Sequence, residues 1–428
     1  MGTSRTGSPS GAATGIPGRR RTRDTYRRVI GLTGPLLPCV SFLGRLPTAT
    51  VQFGSVLLVA RTSGSLSAAG LTGGALLGQV ACGPLVGRLA DRHGQRAVVL
   101  AFSLANALAV AALALGALAG PPTAVLALLG ATAGATVPLV GPLARTRLVA
   151  LARRWGASED TVGAALSFES TLDEMSFVLG PALVGVAAVL AHPAYALAGA
   201  ALLVAVCGSA FALHPTARVT APAGADAPAC RHPDRARTAA AAPMPRSVHA
   251  LRAALALQGA MFGACQAGIT ALTARLGHED QAGLVYAAMG VTSAVAGFAM
   301  AAVPARFGLR TRWRTATGAA FVLSLPLLGT DGMAGLYAVV TVLGVAYASH
   351  LVTVFGLTER AVPPSRLSEA MAFATSSLVG GQALAIALTG RLADSYGPPA
   401  AFAAASTAAA LACALALTSR PEPHRRLP

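Results

Sequence analysis

Apolar runs of about twenty residues recur along the whole chain, and that pattern leaves few folds open. A helix needs roughly twenty predominantly apolar residues to cross the ~30 Å hydrocarbon core of a bilayer. Such runs cover approximately residues 30–60, 66–88, 97–119, 123–146, 161–190, 194–214, 249–274, 282–304, 313–330, 333–358, 366–391 and 397–419. Only 11% of the 428 residues are charged, where a soluble domain carries roughly a quarter. The expectation is an all-α polytopic membrane protein of about twelve transmembrane helices. The basic head from Arg19 to Arg28 resembles the start of a signal peptide. The apolar run behind it is too long and has no small-residue cleavage site, so it reads as an uncleaved first span.

A net charge of +17 raises nucleic acid as a partner, but the charge is scattered between apolar runs and no aromatic or basic module accompanies it. The cations are arginines alone, as a GC-rich coding bias would give. The six cysteines show no metal-ligand spacing and read as small apolar core residues. No phosphate-binding glycine loop and no nucleophile constellation is present, so no cofactor and no enzymatic role are expected.

Alternate loops hold nearly all the arginines: the N-terminal tail, Arg88 to Arg96, Arg145 to Arg154, Arg218 to Arg252, Arg306 to Arg314, Arg360 and Arg366, and the C-terminal tail. The opposite loops hold Arg61, Arg275 and Arg391. By the positive-inside rule both termini are expected in the cytoplasm of a multi-pass cell-membrane protein. The Pro- and Arg-rich stretch 215–248 divides the spans six and six, as a cytoplasmic linker between halves 30–214 and 249–419. The flanking segments 1–29 and 420–428 read as basic tails.

The halves carry traces of one repeat. Residues 165–185 of span 5 align without a gap on residues 370–390 of span 11, and Arg92-His-Gly-Gln-Arg96 matches Arg306-Phe-Gly-Leu-Arg310. Two six-helix halves in parallel repeat are a known transporter architecture. The segment from Gly87 to Arg96, with Asp91, Arg92 and Gly94 inside it, resembles the loop 2–3 motif of the major facilitator superfamily. The resemblance spans roughly residues 30–419. It implies a conformational latch at Gly87, Asp91, Arg92, Gly94 and Arg96. Gly87 would permit close helix approach, Asp91 would pair with nearby arginines, and Gly94 would allow a sharp turn. Ala305 stands where a second copy would carry its aspartate. Gly180, Pro181 and Gly185 are similar to the family's fifth-span motif, associated with proton-coupled exporters. Ser176 and Val184 replace two of its glycines, and a plain small-residue packing seam with a proline kink would look the same.

Charges at membrane depth cost roughly 3 kcal/mol or more each and are usually paired or functional. Arg45 in span 1 and Glu169, Asp173 and Glu174 in span 5 are the candidates. Glu169 and Asp173 share one helix face, with Glu174 about a quarter turn away. Arg45 is expected to pair with Glu169 or Asp173 beside a central cavity. Three acids with one cation would leave a carboxylate free to take a proton, because burial and like charge favour its neutral form. A purely structural ion pair is the alternative. Span 11 has Ala374, Leu378 and Val379 at the equivalent positions, so the scaffold does not demand the acids. Gln258, Gln266 and His350 are cavity candidates, since the resemblance implies a cavity lined by spans 1, 4, 7 and 10. Gln79, Asn106 and Gln382 are softer ones. Together these features point to a monomeric secondary transporter of a small organic molecule, with the proton as coupling ion and export favoured. Uptake of a sugar or other metabolite, and a membrane sensor or membrane-embedded enzyme, are the alternatives.

Overall fold

The structure, a computed structural model, describes residues 27, 29–31, 33–63, 68, 71–72, 77–220, 244–278, 281–303 and 307–419. The tails and most of the linker (1–26, 221–243 and 420–428), together with Ala305 and Arg306, lie outside the described residues. Among the described residues no strand occurs.

Among the described residues twelve rods follow one another: α1 Leu36–Ser63, α2 Gly78–His93, α3 Gln95–Ala119, α4a Thr123–Ala135 with α4b Val140–Arg154, α5 Glu159–Leu190, and α6 Pro193–Leu213 with a π-turn at Val204–Gly208. The second half has α7 Arg246–Arg275, α8 Ala282–Ala302, α9 Leu309–Ser324, α10 Met333–Ala361, α11 Leu367–Tyr396 and α12 Pro398–Thr418. Ten of these rods, with α4a and α4b as one, are long and apolar enough by themselves to cross a bilayer. The other two, α2 and α9, are each 16 residues in their described α-helical part. The outer faces carry large apolar side chains in the open, among them Leu108, Leu128 and Leu190, the last 79% exposed. Water would not tolerate so continuous an apolar surface, and lipid would.

The two halves meet along two seams. On one, α2 of the first half runs antiparallel to α11 of the second. Val80 lies against Gly380, Gly83 against Ser376, and Gly87 against Ala372 and the Ser368 carbonyl. On the other, α5 runs against α8: the Phe168 and Phe298 rings lie 6.3 Å apart and Gly297 faces Thr171. Helices α5 and α11 are the pair that the repeat aligns, so the seams are related as the halves are. At the arginine-rich end one apolar cluster bridges the halves, with Val149, Ala152, Val162 and Leu166 packed on Val248, Leu255, Phe355 and Met371. Toward the other end each half keeps a separate cluster, around Leu113 and Leu197 in the first and Leu272, Val340 and Phe402 in the second. The bundle is therefore joined at its arginine-rich end.

Within the second half α7 and α11 approach until backbones touch. A Cβ at Gly259 would collide with the Leu378 carbonyl, one at Gly263 with the Gln382 carbonyl, and one at Gly381 with the Ala256 carbonyl. Overpacking against rigid backbone costs about 1–3 kcal/mol. Gly259→Ala and Gly381→Ala are expected to lower the thermal unfolding midpoint of the detergent-purified protein. Gly163→Ala, at a helical glycine with nothing within 4 Å, is expected to leave it unchanged or raise it.

Candidate functional site

Pro138 interrupts the fourth span because a proline inside a helix removes a hydrogen bond and clashes with the preceding turn. The chain breaks between α4a and α4b, and Leu139 takes a left-handed φ of 51°, a conformation held only where the surroundings enforce it. Asn106 of α3 steadies the break by donating to the Ala133 carbonyl (2.7 Å) and the Thr136 hydroxyl (3.1 Å). Pro142 then sits in the first turn of α4b, where its missing N–H is harmless. Gly141 follows the break, and a Cβ there would meet the Asp173 carboxylate at 2.6 Å. The break and the glycine together let an acid of α5 come against the start of α4b.

Arg45 is 5% exposed and uses its guanidinium fully. Its Nε donates to the Ser41 carbonyl (3.2 Å) and its Nη1 to the Glu169 carbonyl (3.0 Å) and Asp173 Oδ1 (2.7 Å). Its Nη2 donates to the Ser41 hydroxyl and to Glu169 Oε2. Asp173 accepts a second cation, Arg145, through Oδ2. The expected pairing of Arg45 with one acid or the other is thus a pairing with both. Two arginines and two carboxylates from α1, α4b and α5 close a neutral cluster.

Arg145 was absent from the intramembrane residues picked out by sequence, where it reads as a loop arginine beside Arg147, Arg153 and Arg154. In the structure Arg145 and Arg147 are 1% and 0% exposed, because α4b continues to Arg154. Arg145 lies over the Phe355 ring of α10 at 3.8 Å, so it touches both halves. Arg147 donates to Gln95 Oε1 (3.1 Å) and the Phe211 carbonyl (2.8 Å) and stacks on the Phe211 ring. The sequence signal was the pair of prolines, 138 and 142, which displaces the helix toward its arginines.

A cavity opens beside this cluster. Arg45, Gln79, Leu139, Gly141, Asp173, Ser176 and Phe177 line it from the first half, and Thr375, Ser376 and Val379 of α11 from the second. The three expected cavity residues of the second half do not line it. Gln258 Nε2 donates to the Tyr347 carbonyl (2.8 Å), Gln266 Oε1 accepts from Gln382 (3.4 Å), and His350 Nε2 accepts from the Trp313 indole (3.3 Å). These contacts tie helices of one half together. Glu174 makes no ion pair with the arginines, although Arg145 and Asp173 are among its charged neighbours, and it has Ser293 of α8 and Tyr347 of α10 on its other side. Gly180 packs on Ala49 and Thr50 of α1, whereas Gly185 is exposed and meets nothing within 4 Å. The α5 backbone is helical through Pro181.

The latch residues divide sharply. Gly94 has φ 83°, which only glycine takes readily, and turns the chain from α2 into α3. Among the described residues no ion pair joins Asp91 to an arginine; its carboxylate accepts the Ser368 N–H (3.2 Å) and the Glu369 N–H (2.8 Å), donors at the start of α11. An acid of one half thus caps a helix of the other. Arg92 and Arg96 are exposed. Arg153 with Glu359 (2.6 Å) and Arg360 with Glu159 (2.9 Å) join the halves nearby.

The profile of the Major Facilitator Superfamily matches residues 39–330 and, overlapping, 254–428. The chain belongs to this superfamily. Solved structures agree in fold. The human organic anion transporter MFSD10 (TETRAN) superposes with a TM-score of 0.63 at 18% identity, over 94% of this chain and 100% of that one. A bacterial homologue of the iron transporter ferroportin, outward-facing, gives 0.66 at 17%, over 89% and 98%. The E. coli fucose:proton symporter FucP, in its outward conformation, gives 0.61 at 15%, over 91% and 100%. No curated protein matches the chain.

Two outcomes follow from this geometry. Removing one partner of a buried ion pair costs about 3–5 kcal/mol, whereas replacing both by apolar groups is often neutral. Arg145→Leu is accordingly expected to destabilise the detergent-purified protein, and Arg145→Leu with Asp173→Leu to regain part of the loss, both read by thermal unfolding. Loss of a helix cap costs about 1 kcal/mol, roughly a fivefold change in a two-state population. Asp91→Ala is expected to open the arginine-rich end by that factor. Spin-label distances between Arg92→Cys and Ser365→Cys, in a background lacking the native cysteines, measure the shift.

Proposed function

We propose that this protein is a proton-coupled secondary transporter that exports a small organic molecule across the cell membrane, with both termini in the cytoplasm. The observation that carries this reading is Asp173. It lines the cavity, holds Arg45 and Arg145 together, and belongs to the half-to-half contact through Arg145 on Phe355. A proton on Asp173 would remove one negative charge from a balanced set and release Arg145 from its anchor. The hold of the first half on α10 would then change with the protonation state. Glu169, buried against Arg45 and away from the cavity lining, acts in this reading as the fixed partner.

Alternating access supplies the transport step. The halves are closed at the arginine-rich end by the Asp91 cap, the ion pairs of Arg153 and Arg360, and the bridging apolar cluster. Rocking about the α2/α11 and α5/α8 seams would release that end and close the other. The outward conformation of the fucose:proton symporter and of the ferroportin homologue is the corresponding state in proteins of the same fold. Export is favoured by the likeness of Gly180-Pro181 to the fifth-span motif, and a sparsely charged cavity suits a weakly polar or amphiphilic cargo.

Proteoliposomes screened with a compound panel, with and without an imposed proton gradient, test this. Gradient-driven accumulation is expected for the wild type and is expected to collapse in Asp173→Asn, while exchange of substrate for substrate at equal pH continues. Full coupling in both Asp173→Asn and Glu169→Gln would refute the proton role.

A further inference from the structure

One acid of α5 is unused by the arginine cluster. Glu174 is 8% exposed, and its buried carboxylate oxygens make no hydrogen bond of ordinary geometry, the Ser293 hydroxyl of α8 being the donor beside them. Its cationic neighbour, Arg145, pairs with Asp173 through Nη2 and lies over the Phe355 ring, while its Nε and Nη1 are buried without a hydrogen-bond partner. Its remaining charged neighbour, Asp173, is another acid. A buried carboxylate left in this way is costly unless something positive comes to it.

The wall that Glu174 faces belongs to the second half and is aromatic. Ser293 of α8 and Tyr347 of α10 are its neighbours there. The Tyr347 ring lies 5.2 Å from Phe262 of α7, and Phe262 lies 6.0 Å from Tyr286 of α8. Three rings from three helices thus form one continuous face, each of them only partly buried. The Tyr286 hydroxyl and Gln258 Oε1 are buried and unpartnered. The wall has no cation of its own. Between Arg252 and Arg275 in α7, throughout α8, and before Glu359 in α10, the sequence holds no Arg, Lys, Asp or Glu.

We infer that Glu174 and the Phe262, Tyr286 and Tyr347 rings form a subsite for an organic ammonium ion, which makes amphiphilic organic cations the substrate class. Aromatic faces attract cations through their quadrupole, most strongly when desolvated, and several rings around a quaternary ammonium are a recurrent solution. The carboxylate supplies the countercharge that the arginine cluster lacks to offer. An anionic substrate at the cavity lining would meet Arg45, which is saturated by its own partners. A sugar would need several paired donors where this wall has rings. The inference names the cargo of the transport reading above and rests on it.

Binding to the detergent-purified full-length protein, without any proton gradient, tests it by isothermal titration. The probes are tetramethylammonium, benzyltrimethylammonium and tetraphenylphosphonium, with tetraphenylborate as the anion of matched shape. At least one cation is expected to bind, and tetraphenylborate is not. Glu174→Gln is expected to weaken cation binding by roughly tenfold or more, Glu174→Asp by less, and Tyr347→Leu to weaken the quaternary ions in particular. Thermal unfolding of each variant shows whether it folds, and Tyr347→Leu carries the comparison if Glu174→Gln does not. Absence of cation binding, equal binding of the borate, or undiminished cation affinity in folded variants overturns the inference. Failure of the proton reading shows separately, as cation binding that persists beside uncoupled transport. Gradient-driven transport of an uncharged compound, undisturbed by Glu174→Gln, overturns the inference while leaving the transport reading intact.

Discussion

Hydrocarbon provides neither water nor counterions, so a guanidinium carried into it must bring its partners along. The contacts of Arg45 satisfy that demand, and much of the first half is arranged around them. Helix α1 brings the cation, α5 brings two acids on one face, and α4b brings a second cation that shares Asp173. Three helices are thereby held at one depth by directional bonds, where apolar packing alone would let them slide. The second half solves the same problem differently. Leu378, which the repeat sets at the place of Asp173, presents its carbonyl to Gly259, and α7 and α11 lock by backbone contact. One scaffold thus carries an ion-paired seam in one half and a glycine seam in the other. The difference places the buried ion pairs in the first half and the α7/α11 backbone contacts in the second.

The contacts between halves have another character. Along α2 and α11 they are made by small residues and a single acid, along α5 and α8 by rings, a glycine and a hydroxyl. Nothing there interdigitates deeply. Surfaces of this kind can separate at one end and re-form at the other without rebuilding either half, as domains rocking about an interface require. The half-exposed ion pairs of Arg153 and Arg360 suit the same purpose, since solvent screens them and each contributes little alone.

Much of this was readable in the chain. Apolar run lengths mark the rods and the Gly87–Arg96 segment marks the superfamily, because both rest on local spacing. The spacing of Glu169 and Asp173 likewise placed both acids on one face. What escaped depended on distant geometry. Arg145 reads as a loop residue until the break at Pro138 is known to shift α4b toward it. Charge suggests arginine partners for Asp91, but its carboxylate accepts from backbone amides of a helix 277 residues away. Gln258, Gln266 and His350 were chosen for polarity at depth. A polar group in a bundle is as well served by a neighbouring helix, and there each of them points.

The cap that Asp91 places on α11 has a further consequence. The first amides of a helix have no partner within their own helix, and here Ser368 and Glu369 borrow theirs from the opposite half. Parting the halves at this end would strip α11 of its N-terminal acceptor and loosen its opening turn. In the proposed transport cycle local helix order and access would then be one equilibrium, and amide exchange at Ser368 and Glu369 would keep count of how often this end stands open.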